Sequence, residues 1–86
     1  MEVIFNKKFS KKFIKLNKDL KNKFGLRLDI FLNNHKDPIL NIHSLHGKYD
    51  GFYSLNVNAD YRVIFRYINS NLAEFVIIGT HAELYE

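Results

Sequence analysis

The chain has 86 residues, 47% of them hydrophobic. A chain of this size reads as one domain spanning residues 1–86, and that hydrophobic content excludes an intrinsically disordered protein. The net charge is +4 with a pI near 9.4, and there is no cysteine, which excludes disulfide staples, thiol nucleophiles and cysteine metal sites and fits a reducing compartment.

The amino-terminal residues Met1 to Phe5 lack a charged region followed by an apolar one, so no secretory signal is expected. The longest apolar run, Phe75-Val76-Ile77-Ile78, is far too short to span a bilayer. Charge is unevenly spread. Residues 1–24 hold eight lysines against Glu2 and Asp19, which leaves the rest of the chain net acidic. Such a segment suits a polyanion or an acidic protein partner, or serves as a solvated helix face.

Residues 2–6 are β-prone and predict a first strand. Asn6 is placed to cap a helix, because its side chain can accept from amides of the first turn. Phe9, Phe13, Leu16, Leu20 and Phe24 recur at steps of three and four, which predicts an amphipathic helix of about four turns with its stop at Gly25. Leu28, Phe31, Leu32 and His35 repeat the pattern until Asp37-Pro38, where the proline ring drives Asp37 out of the helical region. The two helices are close in sequence, so an antiparallel helical hairpin is expected. Gly47 and Gly51 then mark turns. Three runs rich in Val, Ile, Phe and Tyr predict strands over 52–57, 61–68 and 72–78, with links of hairpin size. The order is β-α-α-β-β-β. It predicts an α+β fold with the helical hairpin packed on one face of a mainly antiparallel sheet.

Alternation along these strands separates two faces. Tyr61, Val63, Phe65 and Tyr67 share one, with Tyr53, Leu55 and Val57, and read as core under the helices. Asp60, Arg62, Ile64 and Arg66 share the other, with Ser54 and Asn56. Buried unpaired charges are costly, so the second face should be wet or ligand-facing. Asn56 is expected near Asp60 and Arg62. Arg62 and Arg66 have a plainer reading, as cross-strand ion pairs on a solvated face, for instance with Glu74. The last strand is apolar on both faces, and alternation does not assign His81 to either. His43 and His46 are three apart in an extended segment and should point to opposite faces. A shared zinc is not expected, since a site needs three or four converging ligands.

The stretch from His43 to Arg66, with its Leu45-x-Gly47 turn, aromatic strand and Asp60-Tyr61-Arg62 strand, followed by Gly79-Thr80-His81 near the C-terminus, resembles the RelE/ParE superfamily of bacterial toxins. The resemblance is nearest to the YafQ-like branch and covers essentially the whole chain. It implies a type II toxin acting in the bacterial cytoplasm. The implied activity is ribosome-dependent endoribonuclease: an mRNA interferase that cuts mRNA in the ribosomal 30S A site and is held inactive by a cognate antitoxin. Matched position by position, His43, Asp60 and His81 fall on the branch's histidine, aspartate and histidine. Arg62 falls on a phosphate-binding arginine and Tyr85 on a C-terminal aromatic. One position departs: the branch carries a histidine where this chain has Asn56, which hydrogen-bonds but does not exchange a proton near neutrality.

RNA cleavage of this kind requires the 2′-hydroxyl to lose a proton, the phosphorane charge to be stabilised and the leaving 5′-oxygen to gain a proton. Imidazole, with an ordinary pKa near 6.5, suits either transfer. On this reading His81 is the general acid, and Asp60 or His43 takes the 2′ proton. Arg62 pairs with the nonbridging oxygens. Tyr85 stacks on a base, with Asn56 and Arg66 as further RNA contacts. Lys11, Lys15 and Lys18 dock on ribosomal RNA. The expected product is a 2′,3′-cyclic phosphate, formed without metal or cofactor. Two other readings share the fold: a ParE-like toxin that binds a protein such as DNA gyrase, and an inactive binding module.

Overall fold

A computed structural model describes residues 1–85. In chain order the elements are β1 (Glu2–Phe5), α1 (Lys7–Ile14), α2 (Lys18–Asn33), a 3₁₀ turn (Pro38–Leu40), β2 (His43–Ser44), a second 3₁₀ turn (Gly47–Tyr49), β3 (Tyr53–Asn56), β4 (Tyr61–Asn69), β5 (Leu72–Thr80) and α3 (His81–Tyr85).

Asn6 caps α1 as expected, its side-chain oxygen accepting from the Lys8 N–H at 2.9 Å. The expected break at Gly25 is not found. The chain turns at residues 15–17 instead, where the Asn17 side chain accepts from the Leu20 N–H at 2.8 Å and starts α2. Asparagine offers the backbone this local alternative to a continuing helix. Gly25 lies inside α2, and a methyl group there would meet nothing within 4 Å. The apolar stripe is therefore divided between two helices, yet Phe9, Phe13, Leu16, Leu20 and Phe24 all reach one core. Helix α2 ends at Asn33, before His35. Asp37 then caps the 3₁₀ turn by accepting from the Ile39 N–H at 3.0 Å.

The five strands form one sheet in the order β1-β5-β4-β3-β2. Strand β1 runs parallel to β5, and the other pairings are antiparallel. Parallel neighbours need a crossover connection, which α1 and α2 open. The core between the helices and the helix-facing side of the sheet holds Phe31 of α2 and Leu55, Val57, Val63, Phe65, Phe75 and Ile78, all at 0% exposure. Phe31 meets Phe65 and Phe75 edge-on at centroid distances of 5.3 and 5.2 Å, a favoured aromatic geometry.

The second face is less open than alternation predicts. Ile64 is fully buried there, packed with Leu45 and Leu84 and flanked by Tyr49, Phe52, Ile77 and Tyr85. The terminal helix α3 and the segment around β2 cover this patch. A bulge explains why alternation fails along β5: Ile64 pairs with Ile77 but Phe65 pairs with Phe75, so Val76 is the extra residue. An inserted residue reverses the alternation beyond it. Ala73 and Phe75 face the helices before the bulge, and Ile78 does so after it.

Candidate functional site

Beside that small second core lies a cleft of about 430 Å³ lined by Asn41, His43, Ser44, Leu45, His46, Ser54, Asn56, Arg62, His81 and Tyr85. Strands β2, β3 and β4 form its floor. The register sets His43 opposite Ser54, and Asn56 opposite Arg62. Helix α3 supplies the wall with His81 and Tyr85, whose rings lie 4.7 Å apart.

The start of α3 is tightly fixed. Thr80 and Glu83 form a reciprocal cap: the Glu83 N–H donates to Thr80 Oγ1 at 3.1 Å and the Thr80 N–H donates to Glu83 Oε1 at 2.8 Å. This satisfies two amides that a helix start leaves without partners. The other oxygen, Oε2, pairs with Lys12 Nζ of α1 at 3.0 Å. Hydrogen bonding to the Thr80 amide, then to Lys12, holds the Glu83 carboxyl below its usual range. The His81 N–H donates to the Asp60 carbonyl at 3.1 Å, which ties α3 to the start of β4. Gly79 makes the arrangement possible. A Cβ there would lie 3.2 Å from Glu83 Oε1 and from Leu84 Cδ2, and 3.3 Å from Lys12 Nζ.

His43 Nδ1 lies 3.1 Å from the Asn41 carbonyl. A carbonyl only accepts, so Nδ1 carries the proton and Nε2 is the accepting nitrogen of the neutral ring. Arg62 donates from Nη1 to the carbonyls of Asn58 at 2.7 Å and Tyr61 at 3.3 Å. Its Nε and Nη2 have no partner among the described residues. The cleft thus brings together three imidazoles, a guanidinium whose backbone bonds hold it in place, and an aromatic ring: groups able to move protons and bind an anion within one cleft.

Not every candidate residue is part of it. Asp60 is exposed and outside the cleft lining; its backbone, not its carboxylate, contacts α3. Arg66 pairs with Glu74 at 2.8 Å, the plainer reading of that residue, and lies outside the cleft. Lys11, Lys15 and Lys18 are exposed on α1 and α2 or the turn between them, whose apolar stripe packs on the helix-facing side of the sheet. They do not line the cleft. His46, expected to diverge from His43, borders the same cleft although its own backbone is extended, with φ −128° and ψ 174°. No cluster of three or more His, Asp or Glu residues able to hold a metal is found among the described residues. A second cleft, of about 440 Å³, lies elsewhere, between His35, Lys36, Asp37 and Tyr67. There His35 and Tyr67 form a 3.1 Å hydrogen bond.

A family model described as the RelE-like toxin of type II toxin–antitoxin system HigB matches residues 4–79. No curated protein sequence matches the chain. Among solved structures, YafQ from E. coli strain BL21(DE3) superposes with a TM-score of 0.79 at 23% identity, covering 99% of this chain and 98% of that one. A chain of the E. coli DinJ–YafQ complex gives 0.76 at 24%, covering 99% and 98%. A chain of the YoeB–YefM complex from Staphylococcus aureus gives 0.75 at 18%, covering 94% and 97%. At these identities the likeness is one of fold.

Proposed function

The chain belongs to the HigB-like family of RelE-like toxins from type II toxin–antitoxin systems, and on that basis we propose that it is a ribosome-dependent endoribonuclease that cuts mRNA in the A site. The observation that carries this reading is the convergence of His43, Arg62, His81 and Tyr85 on one cleft. A protein that only binds a partner has no need of imidazoles and a cation lining one cleft.

In the proposed reaction, His43 Nε2 accepts the proton of the 2′-hydroxyl. The 2′-oxygen attacks phosphorus, the bond from phosphorus to the 5′-oxygen breaks, and His81 gives that oxygen a proton. The products are a 2′,3′-cyclic phosphate and a 5′-hydroxyl. Arg62 neutralises charge on the nonbridging oxygens, where a pre-placed cation needs no reorganisation during reaction. Tyr85 stacks on a base and holds the backbone for in-line attack. Asn56, in place of an ionisable group, hydrogen-bonds RNA but moves no proton. The metal-free chemistry follows from this inventory, since both proton transfers and the charge have a side chain assigned. Asp60, outside the cleft lining, is the alternative acceptor of the 2′ proton or orients the group that accepts it. The exposed lysines of the helical segment supply a separate contact to ribosomal RNA.

We further place the protein in the bacterial cytoplasm with an antitoxin as partner. The DinJ–YafQ and YoeB–YefM structures are complexes with such partners. No helix is long and apolar enough to cross a membrane among the described residues. The test is primer extension on a defined message, with and without ribosomes. Cuts at A-site codons only when ribosomes are present support the proposal. Intact message together with a dose-dependent block of DNA gyrase would replace it with the ParE-like reading.

A further inference from the structure

Two polar atoms on the cleft floor are left unsatisfied by the protein. Ser54 is 0% exposed, and its Oγ has no hydrogen-bond partner among the described residues. Asn56 Oδ1, two residues further along β3, is equally buried and equally alone. A buried polar atom without a partner forfeits its hydrogen bonds to water, and native structures hold few of them. Here both occur on one face of one strand, about 7 Å apart, and both line the cleft. Their neighbours are apolar on one side and functional on the other. Ser54 stands between His43 and Ile64, and Asn56 stands opposite Arg62. An alanine at position 54 would pack against Ile64 without an orphaned hydroxyl, so the serine calls for an explanation outside the folded chain.

The donors and acceptors indicate what fits. A side-chain amide offers an acceptor and two donors, and a hydroxyl offers both kinds. A phosphate supplies acceptors only and would leave Asn56 Oδ1 unmatched. A nucleobase edge carries donors and acceptors side by side and matches both groups. The rings of His81 and Tyr85 provide the adjoining wall against which a base face can stack. We propose that Ser54 and Asn56 form a base-reading floor: they hydrogen-bond the edge of one nucleobase of the message and so determine which codons are cut. This rests on the ribonuclease reading above. It makes Ser54 and Asn56 specificity-determining residues, distinct from the groups that move protons.

The test uses the full chain in a reconstituted translation system, with a message that presents every sense codon, read by primer extension. Wild type, Ser54→Ala and Asn56→Ala are compared, and each protein is also melted thermally. Ser54→Ala is expected to melt at or above the wild-type temperature, because it removes an orphaned buried hydroxyl. Its preferred codons should lose about tenfold against the others, as expected when a base-edge hydrogen bond is removed. Asn56→Ala should flatten the same preference. If both variants keep the wild-type distribution of cuts, the inference is overturned. If Ser54→Ala melts several degrees lower and loses activity evenly over all codons, Ser54 is structural and the inference also fails. A wild type that cuts nothing on the ribosome would instead refute the ribonuclease reading, and the base-reading floor with it.

Discussion

Glu83→Ala isolates the device that holds the cleft wall. The substitution removes the acceptor for the Thr80 amide and the partner of Lys12 together. The Thr80 side-chain cap stays, and losing the reciprocal hydrogen bond costs about 0.5–1.5 kcal/mol. An exposed ion pair is worth about 0.2–1 kcal/mol, and this one belongs at the low end because its side chains are 33% and 46% exposed. Together these give about 1–2 kcal/mol, which is about a 5–30-fold change in an equilibrium constant. Helix α3 has only five residues, and Leu84 is its buried anchor. The cost therefore falls on local opening of α3 more than on global unfolding. Amide hydrogen exchange reads this directly. Protection at Leu84 and Tyr85 should fall by about 5–30-fold, while amides in the middle of β4 change far less. Glu83→Gln, which keeps a capping acceptor, should recover most of the protection. The depressed Glu83 carboxyl gives a matching pH dependence. A group whose folded pKa is lowered contributes stability above its unfolded value and loses it as pH falls through the folded one. Wild-type protection of α3 should therefore approach that of Glu83→Ala only below the ordinary glutamate value of 4.5. Unchanged exchange in Glu83→Ala at neutral pH would refute the reasoning.

Gly79→Ala brings a methyl within 3.2–3.3 Å of the Glu83, Leu84 and Lys12 side-chain ends and should lower stability by up to about 1 kcal/mol as those ends shift, at the low end of overpacking costs. A thermal melt should show a fall of about 4–8 °C per kcal/mol, and an unchanged melting temperature would mean that the close approach is relaxed without cost. Phe31→Ala empties the centre of the aromatic core and should cost about 3–5 kcal/mol in urea titration. Replacing Lys11, Lys15 and Lys18 by alanine should weaken ribosome binding and flatten its salt dependence. The saturated single-turnover rate should stay near wild type, and a loss confined to that rate would contradict a docking role.

The fold was legible where side-chain periodicity and packing agree. The stripe from Phe9 to Phe24 and the alternation of Val63 and Phe65 place the helices on the correct sheet face, because a large apolar group has one low-energy destination. The helix break falls at Asn17 and not at Gly25, because an asparagine side chain caps a new helix whereas a glycine, which merely lowers helix propensity, does not by itself end one. Strand β5 could not be assigned by alternation because the bulge at Val76 reverses the pattern midway. Thr80-x-x-Glu83 has the spacing of a capping box, a readable signal for the helix that starts at His81, beyond the strand expected over 72–78. The candidate cleft was legible in part: His43, Asn56, Arg62, His81 and Tyr85 line it, whereas Asp60 and Arg66 do not. The contributions of Ser54 and His46 depend on how α3 and the Gly47 turn enclose the face, which no local pattern encodes.

The most direct test of the central claim is the single-turnover rate of cleavage on programmed ribosomes for wild type and His81→Ala at saturating toxin. If His81 delivers a proton to the leaving oxygen, the rate should fall by about 10²–10⁴-fold with binding to the ribosome retained. A variant that cuts at the wild-type rate would contradict the assignment and leave the cleft without its acid.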